Sequence, residues 1–381
     1  MKNPAKLFKI WIGPISFIGT SDPDVIQGIL PHTHCIQKPY IYEFFKIDFG
    51  LFAAPPNVWK VQRKALNPSF NHKILYRFFP IFDRFAQKLV ESLLQIPEDC
   101  EVQITKYMTR CTLAMVCATT IGSDIDKDHD TEKFAYNMNG ILELVAKRCL
   151  NLFTCSESIY KLTEASKLEE SMRQYAWEFV DKGSDTTGIA MGFIAQLLGI
   201  YPHLQEKVYQ EISEVFPPAS KSHFTSDNLG QLQYTEMFIE ESLRHFTIVP
   251  IILRQTTSDI ELDGALIPTG TSFALNIYNL LRREDVWGPS AKQFDPENFS
   301  GENINKRHPF AFLPFSGGNR NCIGHRYAMM SLKIMVVHLL KSFELKSNVS
   351  LIDLKFKIDS VLKFSNEPGL ILERRKSLPI K

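Results

Sequence analysis

Apolar residues fall at helical spacing over most of the chain up to about residue 246 and at strand-like spacing beyond it. Residues 9–20, with Gly13-Pro14 at their centre, read as two short strands about a turn. Asp22-Pro23-Asp24 then opens a helix, because a side-chain oxygen there can take an orphan backbone N–H. Asn57 is placed to cap a helix that carries Trp59 and Arg63 on one face, with Pro68 after its end. Amphipathic runs follow at 72–94, 104–121 and 131–150. From Leu168 to Leu198 the residues Leu168, Met172, Ala176, Phe179, Ala190, Phe193 and Leu197 keep to one face, interrupted by Lys-Gly-Ser-Asp-Thr-Thr-Gly at 182–188. Strands are predicted at 248–255, 259–267 and 272–278, then a Pro- and Gly-containing loop region to Asn321 and a strong helix from Gly324 to Leu340. A hairpin about Pro368-Gly369 closes the chain. The predicted fold class is mainly α with smaller β-sheets (α+β).

Composition narrows the function classes. The 381 residues are 44% apolar, including 28 Phe, which is enough for a packed core, and the length alone allows two or three domains. With 43 basic and 42 acidic side chains the net charge is +1, so no nucleic-acid partner held by bulk charge is expected. Seven cysteines without a C-x-x-C pair argue against a disulfide framework or a zinc site and for reduced thiols facing the cytosol. No stretch reaches the roughly 18–20 apolar residues of a membrane span, and the first residues lack the apolar core of a signal peptide.

One cysteine stands in a distinctive setting, Phe315-Ser-Gly-Gly318-Asn-Arg320-Asn-Cys322-Ile-Gly324. A glycine-bearing loop before a helix offers Cys322 backbone N–H groups and the positive end of the helix dipole, and Arg320 adds a cation two residues away; all three favour thiolate. This Phe-x-x-Gly-x-Arg-x-Cys-x-Gly pattern resembles the haem-binding loop of the cytochrome P450 family. The resemblance implies that Cys322 is the metal ligand of haem (iron protoporphyrin IX), that Phe315, Gly318 and Gly324 shape the loop against the porphyrin, and that Arg320 meets a haem propionate.

Other motifs follow in the family's order. Glu241-Ser-Leu-Arg244 resembles the Glu-x-x-Arg pair of a buried ionic network, whereas Glu170-Ser-Met-Arg173 has the same spacing without the context. Only the Glu241 copy precedes Val249-Pro250-Ile251-Ile252-Leu253-Arg254 and Phe294-Asp-Pro296-Glu-Asn298-Phe299. Asn298 stands where the family has an Arg, so a retained but weaker network is expected, since an amide cannot form the bidentate charge pair. By resemblance Trp59, Arg63 and Arg254 complete the propionate site, and Val249, Ile251, Ile252 and Leu253 line part of the substrate pocket. Asp185 and Thr186 resemble the acid and alcohol that kink the distal helix and pass protons to bound dioxygen, with Lys182 as a departure. Lys60 and Lys64 could help dock an acidic electron donor.

The resemblance covers the chain almost end to end as a single haem domain, 1–381, closest to microsomal members of the fatty-acid hydroxylase clan. A membrane anchor would precede Met1. Between Ser166 and Gly183 about sixteen residues stand where the family has roughly seventy to ninety. The interval reads as an internal deletion near 167–183 within one amphipathic stretch, roughly 46 Å long if it is helical throughout, with an open distal face as the expected result. The implied activity is monooxygenation of a lipophilic substrate (fatty acid, hormone-like lipid or xenobiotic) with O2 and with electrons from NADPH through a flavoprotein reductase. The implied place is the cytoplasmic face of the endoplasmic reticulum membrane. The alternatives are a chain that binds haem without turning over and one that never loads it.

Overall fold

The two strands predicted at the start of the chain, β1 (Phe8–Ile12) and β2 (Ile15–Thr20), pair antiparallel. Asp22 then caps α1 (Pro23–Ile29), its carboxylate accepting from the backbone N–H groups of Asp24 and Val25. The computed structural model describes residues 6–12, 15–45, 50–120, 137, 140–141, 143–145, 147–148, 151, 154, 156–177, 186–217, 223–359 and 361–375. Helix α2 (Pro56–Leu66) carries Trp59 and Arg63 as expected, but it begins at Pro56, whose fixed φ suits a first helical position, so Asn57 lies inside the first turn instead of capping it. The run 72–94 breaks into a short helical turn and α3 (Phe79–Leu93), while α4 (Ile104–Thr120) matches its predicted span. After a short helical turn at Glu157–Tyr160 come α5 (Glu164–Trp177) and α6 (Thr186–Ile200); residues 178–185, which join these two in sequence, lie outside the described residues.

Helix α6 is apolar on all sides and buried from Gly188 to Gly199, which makes it the central helix of the fold. It lies so close to α4 that a Cβ on Gly188 would stand 2.4 Å from the Thr109 Cα, and one on Gly192 2.2 Å from the Thr105 Oγ1. Around it pack α3, α4, α7 (Pro202–Val215), α8 (Gln233–His245) and α9 (His325–Ser342), joined into one core with strand residues Phe343, Leu345, Leu370 and Leu372. Glycine is ordinarily worse in a helix than alanine by about 1 kcal/mol. Here the sign reverses: Gly188→Ala should destabilise by about 1–3 kcal/mol, because Thr109 backbone must move. A lowered denaturant midpoint checks this, with Gly230→Ala, which faces open space, as the control.

The smaller half is β-rich. Strands β3 (Ile251–Gln255), β4 (Ile260–Leu262), β5 (Ala265–Ile267) and β6 (Ser272–Asn276) follow α8, and β6 lies parallel to β2 and antiparallel to β3 in a sheet ordered β1-β2-β6-β3. The segment 259–267 is a hairpin, β4 with β5, because Asp263 and Gly264 both take positive φ and turn the chain. The predicted C-terminal hairpin does not form. Strand β7 (Phe343–Ser347) takes β10 (Leu370–Arg374), and β8 (Phe356–Asp359) takes β9 (Val361–Phe364), which places Leu345, Leu370 and Leu372 in the core.

Among the described residues no single helix is long and apolar enough to cross a membrane. Leu168, predicted to share the apolar face, is half exposed, whereas Met172 is buried with Ile141, Val145, Phe17 and Leu253. Ile141, Val145 and Met172 thus share one buried cluster with Leu253 of β3 and Ala274 of β6.

Candidate functional site

The Cys322 loop connects the β-rich half to α9, and its shape is set by a few close contacts. The Cys322 N–H donates to the Phe315 carbonyl (2.9 Å) and the Asn321 N–H to that of Gly318 (3.2 Å). Gly318 has φ +65°, and a Cβ on it would stand 2.1 Å from the Leu30 carbonyl oxygen, so only glycine lets the loop seat on the end of α1. Asn319 fastens the same junction by donating to the Pro31 carbonyl (3.0 Å), and Phe315 stacks on His325 in the first turn of α9 (4.2 Å between centroids).

Cys322 differs from the other described cysteines by its place in this loop; Cys35, Cys111 and Cys117 are buried, and Cys100 is exposed like Cys322. Burial pushes the Cys35 thiol up to about 11 and the Cys111 thiol up to about 12. At Cys322 the protein's own surroundings oppose the thiolate that the local sequence favours. Surrounding protein raises its thiol above the ordinary range, and the opposing pull of the Gly324 N–H and of Arg63 is smaller. The neighbouring cation is thus Arg63, not Arg320, and full deprotonation calls for a metal ion bound at the sulfur. Arg63 reaches the loop directly, its two terminal nitrogens donating to the Asn321 carbonyl and side-chain oxygens (2.7 Å each), instead of joining the other cations.

Those other cations form a cluster beside the loop. Arg254, 1% exposed on β3, lies 3.5 Å through Nη2 from the Ser316 Oγ. Arg320 donates to the Ala54 carbonyl (2.7 Å) and sits over the Trp59 ring (4.7 Å). Lys38 and Tyr42, which the sequence reading missed, complete the group: the Lys38 Nζ is 3.3 Å from the Tyr42 hydroxyl and 4.3 Å from the ring centre. The signal available for them was only a Lys and a Tyr four residues apart.

Among the described residues no carboxylate pairs with Lys38, Arg254 or Arg320. Burial, then Arg254, pushes Arg320 down to about 10; burial, then Arg254 and Arg320, drives Lys38 well below the usual lysine range. Arg254 Nε and Arg320 Nε and Nη1 are buried with no hydrogen-bond partner. Unpaired buried cations are costly, so this cluster fits an anionic ligand with more than one negative charge seated against the Cys322 loop.

The Glu241-x-x-Arg244 pair is fully buried, whereas Glu170 of the second copy stands at an exposed position. Arg244 Nε and Nη2 donate to the two Glu241 oxygens (2.7 Å each), and Arg244 also donates to the carbonyls of Leu281, Ala291 and Gln293. Glu241 Oε1 further accepts from the Asp295 N–H (2.8 Å) and from Asn298 Nδ2 (3.2 Å). The network that ties α8 to the segment leading toward Cys322 is therefore retained with an amide in place of the expected guanidinium.

Thr186 opens α6, and Asp185 lies outside the described residues. The pocket run is divided by strand alternation and by its neighbours: Val249 and Ile251 are exposed, Leu253 packs under Met172, and Ile252 is a core residue beside Ile29 and Phe273.

Next to Glu241, burial and then the nearby Glu236 push Glu240 up to about 7, against the pull of Lys333. In the unfolded chain a Glu titrates near about 4.3. The native chain therefore holds a proton that the unfolded chain releases, and the stability this contributes is present at low pH and lost as pH rises toward 7. Glu240→Gln should flatten stability against pH over that window, as denaturant midpoints at several pH values would measure.

Comparison with known proteins agrees with this arrangement. The family model described as cytochrome P450 matches residues 1–182 and 162–368. The chain is 30% identical to "Probable cytochrome P450 313a4" of Drosophila melanogaster, with 96% of this chain and 86% of that protein covered. It is 28% identical to "Cytochrome P450 4V2" of Mus musculus (97% and 82%) and 26% identical to "Cytochrome P450 4c21" of Blattella germanica (96% and 85%). The first of these alignments runs over 426 residues, more than the 381 of the chain itself.

Proposed function

Because the chain belongs to the cytochrome P450 family, whose members bind haem iron, we propose that it inserts one oxygen atom of O2 into a lipophilic substrate, with electrons from NADPH delivered by a flavoprotein reductase. The observation that carries this reading is the set of partnerless buried guanidinium nitrogens of Arg254 and Arg320 beside the Cys322 loop. Haem offers a thiolate-seeking iron and two carboxylates, the ligand chemistry those residues lack. Once bound, it supplies the centre at which O2 is split, with thiolate donation favouring O–O cleavage.

This chain's own residues then have distinct tasks. Cys322 would hold the haem iron through its sulfur, and Arg63, held on Asn321, keeps a positive charge near that sulfur. Arg254, Arg320 and Lys38 receive the carboxylates, with Trp59 behind Arg320. The Thr186 hydroxyl, with Asp185, carries the protons that accompany oxygen reduction, one oxygen ending in product and the other in water. Val249, Ile251 and Leu253 face an apolar substrate such as a fatty acid, hormone-like lipid or xenobiotic, while Ile252 is assigned to the core. Lys60 and Lys64 meet the acidic surface of the reductase. The chain is read as one haem domain, shortened near 167–183; the overlapping pieces of the family match and the alignment longer than the chain support that. It is placed on the cytoplasmic face of the endoplasmic reticulum membrane, as microsomal members of its family are.

A second reading, haem binding without turnover, is favoured by one observation: Met172 and Val145 lie against Leu253, where a substrate would need room. Reconstitution with a reductase and a panel of fatty acids and small lipophiles separates the two. Oxygenated product in step with NADPH consumption supports the monooxygenase; NADPH consumed with only reduced oxygen released supports the second reading.

A further inference from the structure

The Asn298 amide has partners on both sides. Its Nδ2 donates to Glu241 Oε1 (3.2 Å), while its Oδ1 accepts from Arg307 Nη2 (3.0 Å) and its backbone carbonyl from Arg307 Nη1. Arg307 pairs directly with no carboxylate among the described residues, unlike its neighbour Lys306, which pairs with Glu302. It lies over the Trp287 ring at 4.3 Å, and Arg244 approaches the same ring at 4.9 Å. Burial and the charge of Arg244 lower Arg307 and the charge of Glu241 raises it, so it senses both members of the buried pair.

We infer that Arg307 is a positioning residue of the Glu241–Arg244 network, coupled to the carboxylate through the Asn298 amide and the shared face of Trp287. An amide that accepts from a guanidinium is a better donor to a carboxylate, so amide and arginine act as one unit. The unit sits at a sensitive place. Phe299, next to Asn298, packs on Trp287 (5.7 Å) and on Phe312 (4.6 Å), and Phe312 stands three residues before Phe315 and the Cys322 loop. Arg307 thus fixes the run 298–312 to α8 and, through it, the seat of the Cys322 sulfur. The consequence for the cofactor rests on the haem-thiolate reading; the coupling itself does not.

The test is a double-mutant cycle on the full chain with Arg307→Gln, Asn298→Ala and both together, read in two ways. With haem, the measurements are the share of the reduced, carbon-monoxide-bound protein in the thiolate form and the rate of haem loss to a scavenger. Without haem, it is the denaturant midpoint. Arg307→Gln should speed haem loss about tenfold, the scale of one charge-assisted hydrogen bond. The double variant should be no worse than the more damaging single one. Arg307→Lys, which keeps the charge and a donor, should fall between wild type and Arg307→Gln. Additive losses, a wild-type-like Arg307→Gln, or Arg307→Lys as poor as Arg307→Gln would overturn the inference. If wild type takes up no haem, the monooxygenase reading fails, and the haem-free cycle still decides the coupling.

Discussion

Cys322→Ser is expected to abolish the thiolate-type absorption of the reduced, carbon-monoxide-bound protein and all oxygenated product, while residual haem binding should persist through the site for its carboxylates. A serine hydroxyl is far harder to deprotonate than a thiol and is no substitute for an electron-donating sulfur. The residual binding follows from Arg254, Arg320 and Lys38, whose unmatched charge does not depend on the sulfur. The other cysteines supply the control. Cys35 and Cys111 are buried, with thiols held at about 11 and about 12, so Cys35→Ser and Cys111→Ser leave the spectrum in its thiolate form. Absorption spectra of the three purified variants check the whole set.

Glu241→Gln is the second large effect, and it acts on folding. Removing the carboxylate leaves the Arg244 guanidinium fully buried with neutral partners only, and a single amide oxygen must then serve the Arg244, Asp295 N–H and Asn298 donors that two carboxylate oxygens served before. Breaking a buried pair on one side costs about 3–5 kcal/mol. Against a typical stability of about 5–15 kcal/mol, that should sharply reduce the yield of folded protein and move its denaturant midpoint far down. Glu170→Gln, the same substitution in the other copy of the motif, sits at an exposed position and should leave the midpoint where it was.

The two copies show what was legible in the sequence and why. Glu170-x-x-Arg173 and Glu241-x-x-Arg244 are indistinguishable by spacing, and only the order of the segments that follow separates them. The Cys322 loop was readable because its determinants are close in sequence and each answers a local demand: Gly318 needs positive φ, and Gly324 presents a backbone N–H to the sulfur. The upward push on the Cys322 thiol could not be read locally, because the protein that surrounds the sulfur comes from the whole fold and outweighs the Gly324 N–H and Arg63. Lys38 and Tyr42 were invisible for a similar reason, since only folding brings them to Arg254 and Arg320. Arg307 could not be read either; nine residues past Asn298, it gains meaning only once Trp287 lies beneath it.

Strand pairing failed where partners are far apart. Strand β10 joins β7 across more than twenty residues because Leu370 and Leu372 are buried there beside Leu345, whereas a local hairpin would have been the simpler reading. The run Val249 to Leu253, by contrast, was open to a better reading, since a strand sends successive side chains to opposite faces and four neighbours cannot all line one pocket.

The most direct measurement is the carbon-monoxide difference spectrum of the reduced wild-type chain, expressed with haem and purified at full length. The expected result is the long-wavelength band of a thiolate-ligated haem, at one haem per chain. A purified, folded chain that takes up no haem, or that takes it up and shows only the band of a neutral ligand, would contradict it.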